Sequence, residues 1–375
     1  MDALVAVEHG ARANVVVPEL LCRSALDDRD RALVTELVYG TCRMRRACDW
    51  LVSRFARGHL DPEVLSAARI GAYQLVFTRI PPHAAVSATV EEVAGPGRSV
   101  VNAVLRRVSA ELASGPPTWP DPATELSYPD WVIARLVADI GATPARAALE
   151  VMNRPAHATE RADGYFQDLG SQLVCRYVGA AAGEIVLDCA AAPGGKATAM
   201  AGAGATVVAA EVDPRRLSTL VSNAALVSNA ANREGYPRVL SVLADSCRPP
   251  WRPGSFDRVL VDAPCSGLGV LRRRPDARWR VRPSDVGRLA KLQRRLIEAS
   301  LPALRKGGVL VYSVCTLTFA ETGDIDRWLA REHPELEALP PPAAPWRPAG
   351  RGALLLPQAA DTDGMFVLAL RSGCH

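Results

Sequence analysis

The hydrophobic pattern of this chain changes its period once. Up to about residue 112, apolar residues recur at three- and four-residue spacing, as in Leu33, Leu37 and Val38 and again in Leu65, Ala68, Ala72, Leu75 and Val76. That spacing predicts amphipathic helices. Pro81-Pro82 and Gly95-Pro96-Gly97 interrupt the run, and Val100–Leu112 reads as a further helix. Ser114-Gly115-Pro116-Pro117 through Pro120-Asp121-Pro122 reads as a linker, followed by a short helical piece from Pro129 to about Val151. From Glu184 onward, short apolar runs alternate with helical stretches, the signature of a parallel sheet. Strands are expected at Ile185–Cys189, Thr206–Val212, Val239–Leu243, Phe256–Asp262 and Gly308–Ser313, and helices at Lys196–Ala203, Pro214–Ala230 and Ser284–Arg305. Phe366–Leu370 is expected as an edge strand, paired with one near Glu335–Leu339. The fold class is therefore α/β, with a Rossmann-like domain behind an all-helical one.

Composition narrows the picture. A length of 375 residues with 49% hydrophobic residues allows two or three domains with real cores and argues against global disorder. No apolar run reaches the length of a membrane span and no signal peptide opens the chain, so a soluble, cytoplasmic protein is expected. Nine cysteines occur without a Cys-x-x-Cys pair or paired histidines, which argues against a disulfide framework or a zinc site. Seven of them (Cys22, Cys42, Cys48, Cys175, Cys189, Cys247 and Cys374) read as structural or incidental. Net charge is only +4, yet Leu271–Arg295 holds ten Lys or Arg against two Asp. Such a run is ordinarily a solvated face, but a basic stretch beside an active site also suits phosphate contact. Within it, Arg272, Arg273, Arg274 and Arg278 are the candidates for phosphate contact.

The first Rossmann-like strand runs into Ala190-Ala191-Ala192-Pro193-Gly194-Gly195-Lys196 and then a helix. Small residues let the turn be tight and bring backbone N–H groups to a ligand. Glu211 lies 17 residues past Gly194, close to the ~20 expected of an acid that bonds ribose hydroxyls. Asp245, past the third strand, is placed to meet an adenine amino group. Neither Gly-x-Gly-x-x-Gly nor a P-loop follows the first strand, so a dinucleotide or a nucleotide triphosphate fits poorly. S-adenosyl-L-methionine fits, since its sulfonium needs no phosphate cradle; the rival reading is a turn that only packs helix on strand. Cys265 and Cys315 each follow a strand, and residues past strand C-termini face the ligand crevice of such a sheet.

Several motifs carry a resemblance. Ala191–Lys196, Asp262-Ala263-Pro264-Cys265-Ser266-Gly267, Arg272-Arg273-Arg274-Pro275-Asp276-Ala277-Arg278-Trp279 and Tyr312-Ser313-Val314-Cys315 together resemble the Nop/Sun family of RNA cytosine-C5 methyltransferases. Ala72–Val86 and Val101–Arg107 are similar to the NusB-like domain of its bacterial RsmB branch. The resemblance implies an all-helical NusB-like RNA-binding domain over 1–115, a linker and shortened connecting subdomain over 116–165, and a class I methyltransferase domain over 166–375. It implies methylation of cytosine C5 in 16S ribosomal RNA by a monomer. It also implies Cys315 as nucleophile, Cys265 as the residue that assists product release, Asp262 as a partner of the base and of the cofactor, and Lys196 as the active-site lysine. Trp279 is expected to stack on a base or to pack.

The chain departs from the family pattern in three places. Only ten residues separate Pro155 from Phe166, where the family carries a longer RRM-like subdomain. Val314 stands where the family has Thr, and Cys189 stands one position early. The shortened region motivates two alternatives, a trimmed non-catalytic RNA-binding paralogue and a methyltransferase acting on another RNA or a small molecule.

Overall fold

A computed structural model describes residues 1–157, 159–231 and 239–373, so Cys374 lies outside the described residues. The chain divides into two compact units. One comprises Met1–Arg135, Met152–Pro155 and Leu271–Val281; the other comprises Leu136–Val151, Ala156–Val270 and Arg282–His375.

The first unit is helical. Its core packs Leu51, Ala68, Ala72, Tyr73, Val101 and Leu105 from the helices Arg45–Ser53, Pro62–Phe77 and Gly97–Leu112. Pro62 and Pro82 open their helices in the first turn, where the missing N–H costs nothing. Gly71 lets two of these helices approach closely: a Cβ there would stand 2.3 Å from Leu105 Cδ1.

The second unit is built on a mixed sheet. Its strands are β1 (Ile185–Asp188), β2 (Thr206–Glu211), β3 (Val239–Leu243), β4 (Phe256–Asp262), β5 (Leu304–Val314), β6 (Glu337–Ala338), β7 (Arg347–Ala349), β8 (Gly352–Leu355) and β9 (Met365–Arg371). Their order is β3-β2-β1-β4-β5-β9-β8-β7, with β6 paired to one end of β9. The first five are parallel, and β9 runs antiparallel to β5. The winding reverses between β1 and β4, the switch point at which such sheets bind ligands.

Two expectations change. Phe366–Leu370 is not an edge strand: β9 lies between β5 and β8, and every residue from Met365 to Leu370 is buried. Burial on both faces explains its unbroken apolar run. The helix expected to reach Arg305 spans Pro283–Ser300, and a 3-10 turn holding Pro302 leads into β5. A proline has no N–H to continue the helical ladder.

The segment Leu271–Val281 packs into the helical unit. Arg278 is fully buried. Its Nη1 donates to Arg43 O (3.1 Å), Ser127 O (3.1 Å) and Asn153 Oδ1 (2.9 Å), and its guanidinium lies 3.9 Å from the Tyr128 ring centre. Burial pulls its pKa down to about 10, against the favourable effect of Tyr128. Trp279 Nε1 donates to Cys42 O at 2.6 Å. Arg278→Met would leave two buried carbonyls and the half-buried Asn153 Oδ1 without their donor, each buried acceptor worth about 1–3 kcal/mol. The expected outcome in urea unfolding is a loss of about 3 kcal/mol or more, while Arg274→Gln, at an exposed position, changes little. Equal stabilities for the two variants would contradict this role.

Candidate active site

The site lies where β1, β4 and β5 end. Parallel pairing sets Asp188 opposite Leu260 and Asp262 opposite Ser313, so the loops after β4 and β5 leave the sheet side by side. Gly269 ties them together. Its N–H donates to Cys315 O at 3.0 Å, and a Cβ there would lie 2.2 Å from Gly364 O, so only glycine fits. Cys265 and Cys315, both half-buried, come to 3.2 Å between sulfurs. Lys196, in the first turn of the helix Gly195–Gly202, donates from Nζ to Asp262 Oδ2 at 2.7 Å.

Charge reaches both thiols. Burial opposes the charge on Lys196, but the Asp262 carboxylate and the thiols of Cys175 and Cys315 outweigh it, and the ammonium pKa rises. The positive Lys196 therefore acts on Cys315. Cys265 is pushed well above the ordinary thiol value by its hydrogen bond with Cys315, then by burial, then by the charges of Cys315 and Glu321.

The cofactor side is built from the loop after β1. Gly194 has φ +105°, a backbone that favours glycine, and its N–H closes the turn on Ala191 O at 2.7 Å. Ala190 is half-buried, Ala191 and Ala192 are buried, and Pro193 is exposed. Side chains hold the loop carbonyls: Arg216 donates to Ala192 O (2.9 Å), Asn223 to Pro193 O (2.8 Å) and Arg161 to Gly195 O (2.6 Å). Glu211 ends β2, buried, and its Oε1 accepts the N–H groups of Val212 and Asp213. Its Oε2 is buried without a hydrogen bond, although Arg216 Nη1 lies 3.3 Å away. Asp188 Oδ2 at the end of β1 is likewise buried without a hydrogen bond. Asp245, past β3, is exposed, and its Oδ1 accepts Cys247 N–H. Unsatisfied buried carboxylate oxygens are expected to find partners. Along the strand ends, these oxygens suit the hydroxyl and amino donors of S-adenosyl-L-methionine.

Lys196, Asp262, Cys265 and Cys315 thus form one cluster, with Glu211 and Asp245 on the neighbouring strand ends. The basic segment differs from expectation. Arg272 and Arg278 are buried; Arg272 Nη2 donates to Pro155 O and Arg278 is bound as described above. Neither guanidinium is presented for phosphate contact, because each is turned inward onto buried or half-buried acceptors. Arg273 is half-buried and Arg274 is exposed. Trp279 packs rather than standing free. Sequence reading missed Asp188, Arg161 and Glu321. Asp188 was hidden inside an apolar strand; Arg161 and Glu321 lie in stretches without periodicity, and only their place near the strand-end motifs could have marked them.

Asp188 gives a pH-dependent expectation. Burial first, and the Asp262 carboxylate second, raise its pKa to about 7 from an ordinary 3.8. A folded-state value above the unfolded one means the folded chain binds the extra proton, so this group costs stability as pH rises from about 4 to about 7. Asp188→Asn removes that cost. Its melting temperature relative to the native chain should be higher at pH 8 than at pH 4.5; a difference independent of pH would contradict the assignment.

A profile of the family described as 16S rRNA methyltransferase RsmB/F matches residues 178–371, and one of the NusB family matches residues 1–110. The putative methyltransferase Rv1407 of Mycobacterium tuberculosis is 36% identical over 436 aligned positions, covering 96% of this chain and 93% of its own. Since 96% of 375 residues enter that alignment, roughly 75 of its positions have no counterpart here. The ribosomal RNA small subunit methyltransferase B of Yersinia pseudotuberculosis is 31% identical over 96% of this chain and 94% of its own. Among solved structures, PH0851 shares the fold, with a TM-score of 0.77 at 19% identity over 98% of this chain and 96% of its own. The chain belongs to the 16S rRNA methyltransferase RsmB/F family, as an S-adenosyl-L-methionine-dependent methyltransferase with a NusB-family amino-terminal region.

Proposed function

We propose that this protein transfers a methyl group from S-adenosyl-L-methionine to carbon 5 of a cytosine in 16S ribosomal RNA, through a covalent bond between Cys315 and carbon 6. The observation that carries the reading is the pair of sulfurs 3.2 Å apart beside the Lys196–Asp262 ion pair. Carbon 5 of cytosine is a poor nucleophile, and addition of a thiolate at carbon 6 activates it. Cys315, as thiolate, forms the S–C6 bond, and the C5–C6 π pair moves to carbon 5. The cofactor, when bound, supplies the methyl group as an electrophile on its sulfonium. The proton on carbon 5 then passes to water, its electron pair restores the C5–C6 double bond, and Cys315 leaves as thiolate.

The surroundings support this division of work. The positive charge of Lys196 near Cys315 favours the thiolate there, as reactive cysteines require. The raised Cys265 keeps its proton and can donate a hydrogen bond to the departing Cys315 sulfur. Asp262, held by Lys196, is the partner this reading gives to the N3/N4 edge of the base. The base must leave its stack to reach such a cluster, so unpaired or flipped RNA is the expected substrate. Arg273 and Arg274 are the remaining candidates for phosphate contact. The short stretch between Pro155 and Phe166 favours a second reading, a trimmed RNA-binding paralogue without activity.

Incubation with unmodified 16S RNA and labelled cofactor separates the two. The proposal expects 5-methylcytosine; cofactor binding without product would favour the paralogue. Cys315→Ala is expected to abolish the denaturation-resistant RNA adduct and Cys265→Ala to accumulate it. The opposite pattern would exchange the two roles.

A further inference from the structure

Glu321 lies outside every motif discussed so far, in a 3-10 turn (Phe319–Glu321) six residues past Cys315, and its side chain is fully buried. A buried carboxylate is costly unless donors satisfy it. Here four converge. Oε1 accepts Ser266 N–H (2.9 Å) and Gln293 Nε2 (3.0 Å), and Oε2 accepts the hydroxyls of Ser266 (2.5 Å) and Thr318 (2.8 Å). Ser266 follows Cys265, and its Oγ also lies 2.8 Å from Oγ1 of Thr316, which follows Cys315. Gln293 reaches the same loop from the other side, donating to Pro264 O at 3.0 Å, while the Tyr312 hydroxyl donates to Glu321 O at 2.7 Å.

We propose that Glu321 is a positioning residue of the methyl-transfer site: its carboxylate joins the loop carrying Cys265 to the loop carrying Cys315 and sets the spacing of the two sulfurs. Backbone bonds hold the two ends of the loop after β4, at Ala263 N–H on Ser313 O and Gly269 N–H on Cys315 O, and between them the loop is fixed through Pro264 O, Ser266 N–H and Ser266 Oγ. Glu321 takes two of the three directly and is bridged to the third by Gln293. The charges and titratable groups acting on Cys265 are Cys315, from the loop after β5, Glu321 itself and the Tyr312 phenol of β5. The remaining neighbouring hydroxyls and amides supply only dipoles. This inference rests on the proposed roles of the two cysteines.

Replacement of Glu321 by Gln keeps the shape but turns an NH2 group toward donors. In Glu321→Gln, kcat for methyl transfer should fall by about tenfold or more, while KM for RNA and the Kd for S-adenosyl-L-methionine stay within about twofold. The denaturation-resistant RNA adduct should accumulate, as in Cys265→Ala. Ser266→Ala, which removes the hydroxyl joining the two loops and leaves the carboxylate in place, should show the same pattern more weakly. General loss of structure would instead raise KM, weaken cofactor binding and reduce adduct together. Native kcat without adduct in both variants overturns the proposal. If Glu321→Gln no longer binds cofactor, Ser266→Ala decides alone. If Cys265→Ala itself traps no adduct, the covalent reading fails, and the split between kcat and KM decides the role of Glu321.

Discussion

The parallel pairing of β4 with β5 is the constraint on which the site depends. With Asp262 opposite Ser313, the residues just past each strand leave the sheet at the same level. A one-residue slip would turn Asp262 to the other face. The two thiols, Lys196 and Asp262 meet only because this register holds, and β9 secures it by pairing β5 along its other edge.

Buried carboxylates divide into two kinds around this frame. Glu321 is saturated with donors and belongs to the scaffold of the loops. Asp188 Oδ2 and Glu211 Oε2 lack hydrogen bonds and stand at strand ends, on the side of the sheet where such folds hold ligands. The difference is physical: a saturated buried acid rigidifies its surroundings, whereas an unsatisfied one is retained at a cost that a bound partner can offset. Arg278 shows the cationic counterpart in the helical unit, where one guanidinium satisfies carbonyls from three separate stretches of chain.

Much of this was legible in the sequence. Strands β1 to β4 fall within a residue of the alternation and turn signals that predict them, because short apolar runs bounded by glycine, proline and acids have few other solutions. The strand-end positions of Cys265, Cys315, Glu211 and Asp245 follow from the same pattern. What stayed hidden depends on tertiary partners. The run Phe366–Leu370 carries no mark of which strands flank it. The arginines of Leu271–Arg295 read as one basic face, yet the carbonyls that draw Arg272 and Arg278 inward lie more than a hundred residues away in sequence. Glu321 has no motif of its own; only the fold brings Ser266 and Gln293 to it.

The central claim is that Cys315 bonds carbon 6 of the target cytosine. It is tested most directly with 16S RNA carrying 5-fluorocytosine, in which fluorine replaces the carbon 5 proton, cannot leave as a cation, and so holds the adduct. After reaction with S-adenosyl-L-methionine and digestion, mass spectrometry locates the modified peptide. The account predicts the nucleotide on the peptide containing Cys315; a nucleotide on Cys265, or product without any adduct, would contradict it.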